Sequence, residues 1–249
     1  MSKKSKSVPY FISLFFGTLV IVILLVIKYK QADNSTLFTL NEIKTEDSIC
    51  GIDISRYQPH INWEKVAPQI DFVFIRATSG RNYVDNLFDV HYMNAKNHDL
   101  PIGAYHYFVF NVNGKDQAVN FLNKVNDYEF DLPLVIDVEE HPKYGKPSFD
   151  YQTTINNLRE FITKVEKETK TEVLIYTNTK GYERYIKRNF PNHSLWISSF
   201  KSKETHPSQW VFWQKTHTGK IDGITDYVDI NVFNGDEKTW NNYLEKRKK

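Results

Sequence analysis

The segment Leu134-Val135-Ile136-Asp137-Val138-Glu139-Glu140 decides how this chain is read. It is an apolar strand whose tail carries acids. Successive side chains of a strand point to opposite faces. Asp137 and Glu139 therefore share one face, and Leu134, Ile136 and Val138 share the other. At the usual strand rise, the two acidic residues stand about 6.5–7 Å apart at Cα. Such a pair suits glycoside hydrolysis, which needs a proton donor and an anion at one sugar linkage. A plainer reading stays open at this point, because strand ends often carry acids that only meet water. Glu140 turns away from the pair, which points to a salt-bridged or solvated role.

Outward from this strand, short β-branched and aromatic runs alternate with longer amphipathic stretches. Strands are expected at Gly51–Ser55, Phe72–Ala77, Ile102–Phe108, Leu134–Glu139, Val173–Thr177, Leu195–Ser198, Val211–Gln214 and Tyr227–Val232. Helices are expected at Trp63–Ala67, Val84–Asn97, Lys115–Val125, Tyr151–Thr169 and Tyr182–Arg188. This alternation builds a mostly parallel sheet with crossover helices. Eight strands are enough to close a barrel, and little helical pattern separates the last three. The expectation is an α/β fold: a modified TIM-like barrel with about five βα units, eight strands and a helix-poor closing third.

Barrels of this kind carry their sites at the C-terminal ends of the strands. In Gly51-Ile52-Asp53-Ile54-Ser55 the isoleucines face one side and Asp53 the other. Tyr227-Val228-Asp229-Ile230-Asn231-Val232 likewise puts Asp229 and Asn231 on one face. Buried unpaired carboxylates are costly. Repetition of that cost at one end of three strands argues that Asp53, Asp137, Glu139 and Asp229 form a functional cluster. The alternative is that each acid caps a turn locally.

The remaining features bound the answer. The chain has 249 residues and a formal net charge of +2, with its basic residues spread out, so no nucleic-acid partner is expected. Cys50 is the single cysteine and reads as a buried, inert thiol. Residues 1–7 are a basic N-tail, and 8–27 form an uncharged apolar run. That run is long enough to cross a bilayer as a signal anchor, with a cleaved signal peptide as the alternative. The basic N-tail favours an extracytoplasmic catalytic domain, in the periplasm or at the cell surface. Residues 28–48 read as a polar linker, 49–240 as the barrel and 241–249 as a basic C-terminal tail. The eight histidines show no His-Glu-x-x-His pattern, and no metal or cofactor is expected.

At this point a resemblance is visible. The chain has Gly-Ile-Asp-Ile-Ser-Arg-Tyr-Gln at 51–58, Ile-Asn-Trp at 61–63, Phe-Ile-Arg-Ala-Thr at 74–78 and Gly-Ala-Tyr-His-Tyr-Phe at 103–108. It continues with Pro-Leu-Val-Ile-Asp-Val-Glu at 133–139, Ile-Tyr-Thr-Asn at 175–178, Leu-Trp-Ile-Ser at 195–198, Phe-Trp-Gln at 212–214 and Val-Asp-Ile-Asn-Val-Phe at 228–233. Taken in order, these segments resemble the family 25 glycoside hydrolases, the Chalaropsis-type lysozymes or N-acetylmuramidases. The resemblance implies a modified β/α barrel that cleaves the β-1,4 bond between N-acetylmuramic acid and N-acetylglucosamine in peptidoglycan. It implies Glu139 as catalytic acid, Asp137 as its partner carboxylate, and Asp53 and Asp229 as the other acids of the site. The expected partners are peptidoglycan strands and, through the N-terminal helix, a membrane; the expected state is a monomer.

The chemistry suits these roles. A general acid at neutral pH needs a raised pKa, and an anionic Asp137 would keep the proton on Glu139. Asp137 either orients the substrate's N-acetyl group for attack, giving retention, or an acid activates water from the far face, giving inversion; the spacing does not decide, and the family's resemblance to other N-acetyl-sugar hydrolases with adjacent carboxylates implies the first. Tyr105, Tyr107, Tyr176, Trp196 and Gln214 are expected to shape the sugar cleft. Arg76 lies within a strand and is expected to pair with one of the acids, or to meet the muramic lactyl carboxylate. One departure stands out: many family members have Ala-Thr-Glu-Gly where this chain has Ala77-Thr78-Ser79-Gly80. The competing readings are an idle, tethered glycan-binding module, a chitinase-like hydrolase and a metal-dependent wall amidase. The longer acidic run of chitinases is absent, since Leu134 and Val135 precede Asp137.

Overall fold

Alternation along each strand builds the barrel from within. The computed structural model describes residues 39–45, 48–140, 150–199 and 207–247. The expected anchor at 8–27 and most of the linker lie outside these residues. Among the described residues, no helix is long and apolar enough to cross a membrane.

The elements follow in the order α1 (Leu40–Ile43), β1 (Cys50–Ile54), α2 (Trp63–Val66, continued by a 3₁₀ turn at Ala67–Gln69), β2 (Phe72–Ser79), β3 (Tyr83–Val84) and α3 (Phe88–Asn97). They continue with β4 (Ile102–Tyr107), α4 (Gly114–Val125), β5 (Leu134–Val138), α5 (Tyr151–Thr169) and β6 (Leu174–Asn178). The last are α6 (Thr179–Gly181, leading into a π-helical turn at Tyr182–Ile186), β7 (Leu195–Ser198), β8 (Trp210–Gly219), β9 (Val228–Phe233) and α7 (Glu237–Glu245). Strands β1, β2, β4, β5, β6, β7 and β8 pair in parallel around the ring. Strand β9 runs antiparallel to both β8 and β1 and closes it. The short β3 forms a hairpin beside β2, outside the ring. All eight expected strands are present, and β8 reaches furthest beyond its expected end.

Each strand divides its side chains between two cores. Ile52, Ile54, Val73, Ile75, Ile136, Val138 and Ile230 face outward and pack under the helices. Phe72, Phe74, Val135, Leu174, Trp196 and Phe212 fill the lumen. Phe74 stacks on Trp196 at 4.5 Å between ring centroids, and the rings of Phe72 and Phe212 meet at 5.2 Å. Gly103 makes room for this layer, since a Cβ there would lie 2.3 Å from the Phe74 ring. The lower lumen is thus a plug of large rings, each burying roughly 150–250 Å². Charge can sit only above it, at the C-terminal mouth.

Three expectations need correction. The helix expected from Val84 begins at Phe88, because Tyr83–Val84 pairs with β2 and the Asp85 carboxylate accepts from Leu87 N to make a turn. The expected boundary at 240 falls inside α7, so residues 241–245 of the supposed tail are helical. Asp236 caps that helix by accepting from Thr239 N, and Trp240 is buried against Phe72 and Phe233. The helix expected at Tyr182–Arg188 is instead the short α6 and its π turn.

Candidate active site

Strand β5 carries Asp137 into the lumen, and Glu139 follows just past the strand end. The antiparallel pairing of β1 with β9 sets Asp53 opposite Asp229. In register, Asp137 neighbours Tyr107 on β4 and Tyr176 on β6. Above the aromatic plug the mouth opens into a cleft of about 660 Å³, within the range of small-ligand sites. Asp53, Asp137, Glu139 and Asp229 all line it, and so do Arg76, Tyr105, Tyr107, Tyr176, Trp196 and Gln214.

Hydrogen bonding sorts the four acids. The Trp196 indole N–H donates to Asn231 Oδ1 at 2.9 Å. Indole can only donate, so the amide nitrogen of Asn231 must face the other way. It donates to Asp53 Oδ2 at 2.8 Å. Gln214 Oε1 accepts from Tyr176 (3.0 Å) and Ser198 (2.8 Å), and its nitrogen donates to the same Asp53 oxygen at 3.1 Å. Burial raises the pKa of Asp53, and the hydrogen bonds from Asn231, Gln214 and Asp229 oppose that rise. Asp229 goes well above the carboxylate range, through burial and then the charge of Asp53. Of the facing pair, Asp53 is the one that accepts two amide donors, which favours its charged form, while burial works against ionisation of both.

Glu139 is pushed up to about 7, by burial first and then by the charge of Asp53. Burial and Asp53 add to the expected repulsion between Glu139 and Asp137, which shows on the Asp137 side of the pair. Burial, then Glu139 and Asp53, hold Asp137 itself well above its usual range. Its Oδ1 is buried without a hydrogen-bond partner among the described residues.

Trp196 and Tyr176 are almost fully buried. They form the cleft floor and support the Asp53 cradle, and Tyr105 and Tyr107 offer more of their surface. Arg76 does not pair with the clustered acids. Its Nε and Nη2 both reach Asp85 Oδ2 at 2.8 Å, and the Asp85 side chain is wholly buried. Sequence reading passed over Asp85, although a charged residue in the turn after β2 was an available signal. Glu140 behaves as expected: it accepts from Lys180 and Tyr185, both at 2.6 Å, and pairs with Arg184 at 3.3 Å. Burial works against its ionisation, but these partners outweigh burial and hold it below its usual pKa. Among the described residues, no group of three or more His, Cys, Asp or Glu is arranged to hold a metal.

Residues 52–224 match the profile of glycosyl hydrolases family 25. The chain belongs to that family. The YegX protein of Escherichia coli (strain K12) is 34% identical over 196 residues, spanning 76% of this chain and 70% of YegX. Lysozyme M1 of Streptomyces globisporus is 33% identical over 201 residues, spanning 74% of this chain and 67% of its own. The solved family 25 glycosyl hydrolase from Bacillus anthracis shares the fold with a TM-score of 0.72 and 35% identity, covering 80% of this chain and 95% of that one. This family 25 member is therefore a glycoside hydrolase, and its acid-lined mouth lies where a TIM-like barrel keeps its chemistry.

Proposed function

We propose that this barrel is a muramidase that hydrolyses the β-1,4 bond between N-acetylmuramic acid and N-acetylglucosamine in peptidoglycan. Glu139 is the general acid. With a pKa of about 7 it keeps a usable fraction of its proton at neutral pH and gives it to the departing glycosidic oxygen. The observation that carries the reading is Glu139 beside an orphaned oxygen of Asp137 in one cleft. A buried acceptor left unpaired is costly, and the N–H of a substrate 2-acetamido group is the partner it lacks. Asp137 bound to that N–H aims the acetamido carbonyl oxygen at the anomeric carbon. The carbonyl oxygen displaces the protonated leaving group and forms a cyclic oxazolinium. Water activated by the now ionised Glu139 then opens it with net retention. Asp53 supports the proton on Glu139 through its charge, and Asp229 stands behind Asp53.

The setting follows from the same reading. The substrate lies outside the cytoplasm. The uncharged run at 8–27 is read as the helix that tethers the enzyme to the membrane. The enzyme is read as acting as a monomer. The test is digestion of purified peptidoglycan by the full-length chain. Borohydride reduction of the products is followed by mass spectrometry, with Glu139→Gln as control. New reduced muramic acid ends, absent in the variant, are expected. New glucosamine ends would overturn the bond assignment, and no new ends would favour a tethered binding module.

A further inference from the structure

The cleft wall formed by the β1 end and the β2–β3 hairpin carries positive charge, in contrast to the acids across it. Arg76 and Arg56 share two tyrosine rings. Arg56 lies 5.2 Å from the Tyr57 centroid and 5.3 Å from that of Tyr83; Arg76 lies 5.2 and 5.6 Å from the same two. All four residues line the cleft. Among the described residues, the carboxylate serving this stack is Asp85. Its Oδ2 takes both Arg76 nitrogens and the backbone N–H of Arg56, and its Oδ1 takes Leu87 N. Asp85 therefore neutralises Arg76 and holds the Arg56 backbone, but leaves the Arg56 guanidinium unmatched. Among the described residues no carboxylate pairs with that guanidinium; its side-chain hydrogen bond is a long one, 3.5 Å, to the Tyr57 hydroxyl. Ser79, which pairs with Tyr83 in the hairpin and lines the same cleft, supplies no charge.

A guanidinium has five N–H donors in a rigid fork that matches a carboxylate. The Tyr57 and Tyr83 rings flank the exposed Arg56 guanidinium at the mouth, a cation–π setting that favours one placement of its fork. The charge is placed where a strand lying in the cleft would pass. In peptidoglycan the group that can answer it is a carboxylate on or near muramic acid.

We propose that Arg56, steadied by Tyr57 and Tyr83, is a carboxylate-recognition site that makes the enzyme prefer glycan strands with an acidic muramic substituent. The carboxylate is that of the free lactyl group or that of the stem peptide joined to it. The inference rests on the muramidase reading above and names what that site selects. It also explains how a cleft lined by acids accepts an acidic polymer: the unmatched cation offsets repulsion at the muramic position.

The test uses soluble tetrasaccharides of alternating N-acetylglucosamine and N-acetylmuramic acid in two pairs. One pair has free lactyl carboxylates or their methylamides. The other carries stem peptides with free or amidated carboxylates. Cleavage is measured with the full-length chain, and binding with its Glu139→Gln form, each with Arg56, Arg56→Gln or Arg56→Lys. With Arg56 present, the acidic member of at least one pair should be preferred about fivefold, the scale of an exposed ion pair. Arg56→Gln should abolish that preference, and Arg56→Lys should keep part of it. The pair that responds identifies the source of the carboxylate. Equal affinity for acidic and amidated forms, or a preference that survives Arg56→Gln, overturns the proposal. If the muramyl bond is not cut yet binding follows the carboxylate and Arg56, the reaction assignment fails and the recognition site stands.

Discussion

Replacing Glu139 with glutamine should remove activity and stabilise the fold, and the gain should depend on pH. The carboxyl is raised from 4.5 to about 7 in the folded chain. Each tenfold change in a proton equilibrium is worth about 1.4 kcal/mol, so ionising this buried group in the folded state costs ~3 kcal/mol as an upper bound. Below pH 4.5 the group is neutral in both folded and unfolded chains, and the cost is absent. As pH rises from 4.5 towards 7, the unfolded chain releases its proton while the folded chain retains it, so stability falls. Above about 7 the whole cost is present. Glutamine never ionises. Its advantage over glutamate should therefore grow by about 1–3 kcal/mol between pH 4.5 and pH 8, the lower figure allowing for relaxation of the neighbouring acids. Urea unfolding followed by tryptophan fluorescence at the two pH values measures it, with a midpoint difference of about 1 M at pH 8. The same stability gap at both pH values would refute the reasoning, because a packing effect does not titrate. The benefit to catalysis has the same origin. At pH 7 about half of Glu139 is protonated, against about 0.3% for a carboxyl of ordinary pKa.

Three further outcomes follow from the geometry. The alkaline limb of kcat/KM should fall with an apparent pKa near 7, and in the residual activity of Asp53→Asn it should move acidward because a neighbouring charge is gone. Asp85→Ala strands the largely buried guanidinium of Arg76 and frees the Arg56 backbone; a loss of about 3–5 kcal/mol in denaturant unfolding is expected, with Asp85→Asn milder. Gly114→Ala would put a Cβ 1.8 Å from the Asn157 carbonyl oxygen, where α4 meets α5. Backbone cannot swing aside, so about 1–3 kcal/mol or more should be lost in thermal or urea unfolding.

The barrel was legible because strand alternation is a strong local signal. It turned Asp53, Asp137 and the Asp229–Asn231 pair inward while isoleucines and valines went to the helices. What escaped was relational. The partner of Arg76 could not be read, because Asp85 reaches it only through a hairpin that breaks an apparently helical stretch. The raised pKa of Glu139 is legible only in part: Asp137 is its neighbour along the chain, but burial and Asp53 on another strand come from the fold. Gln214 was expected to meet sugar but holds Asp53, and its amide orientation depends on hydroxyls from two other strands. Helix α7 was missed because its apolar face is only Trp240, Tyr243 and Leu244, set among charged residues.

The closing strand has a kinetic meaning. Asp53 and the amide of Asn231 that cradles it are 178 residues apart in sequence. Contacts between such distant segments carry a high loop-closure entropy and form late in folding. The ring strands β2, β4, β5, β6, β7 and β8 are paired in parallel without β9, but Asp53 has only the Gln214 amide and lacks Asn231 and Asp229 until β9 docks. Assembly of the charged cluster is thereby tied to completion of the ring. A chain emerging residue by residue has no complete site to offer until nearly all of its barrel has been made.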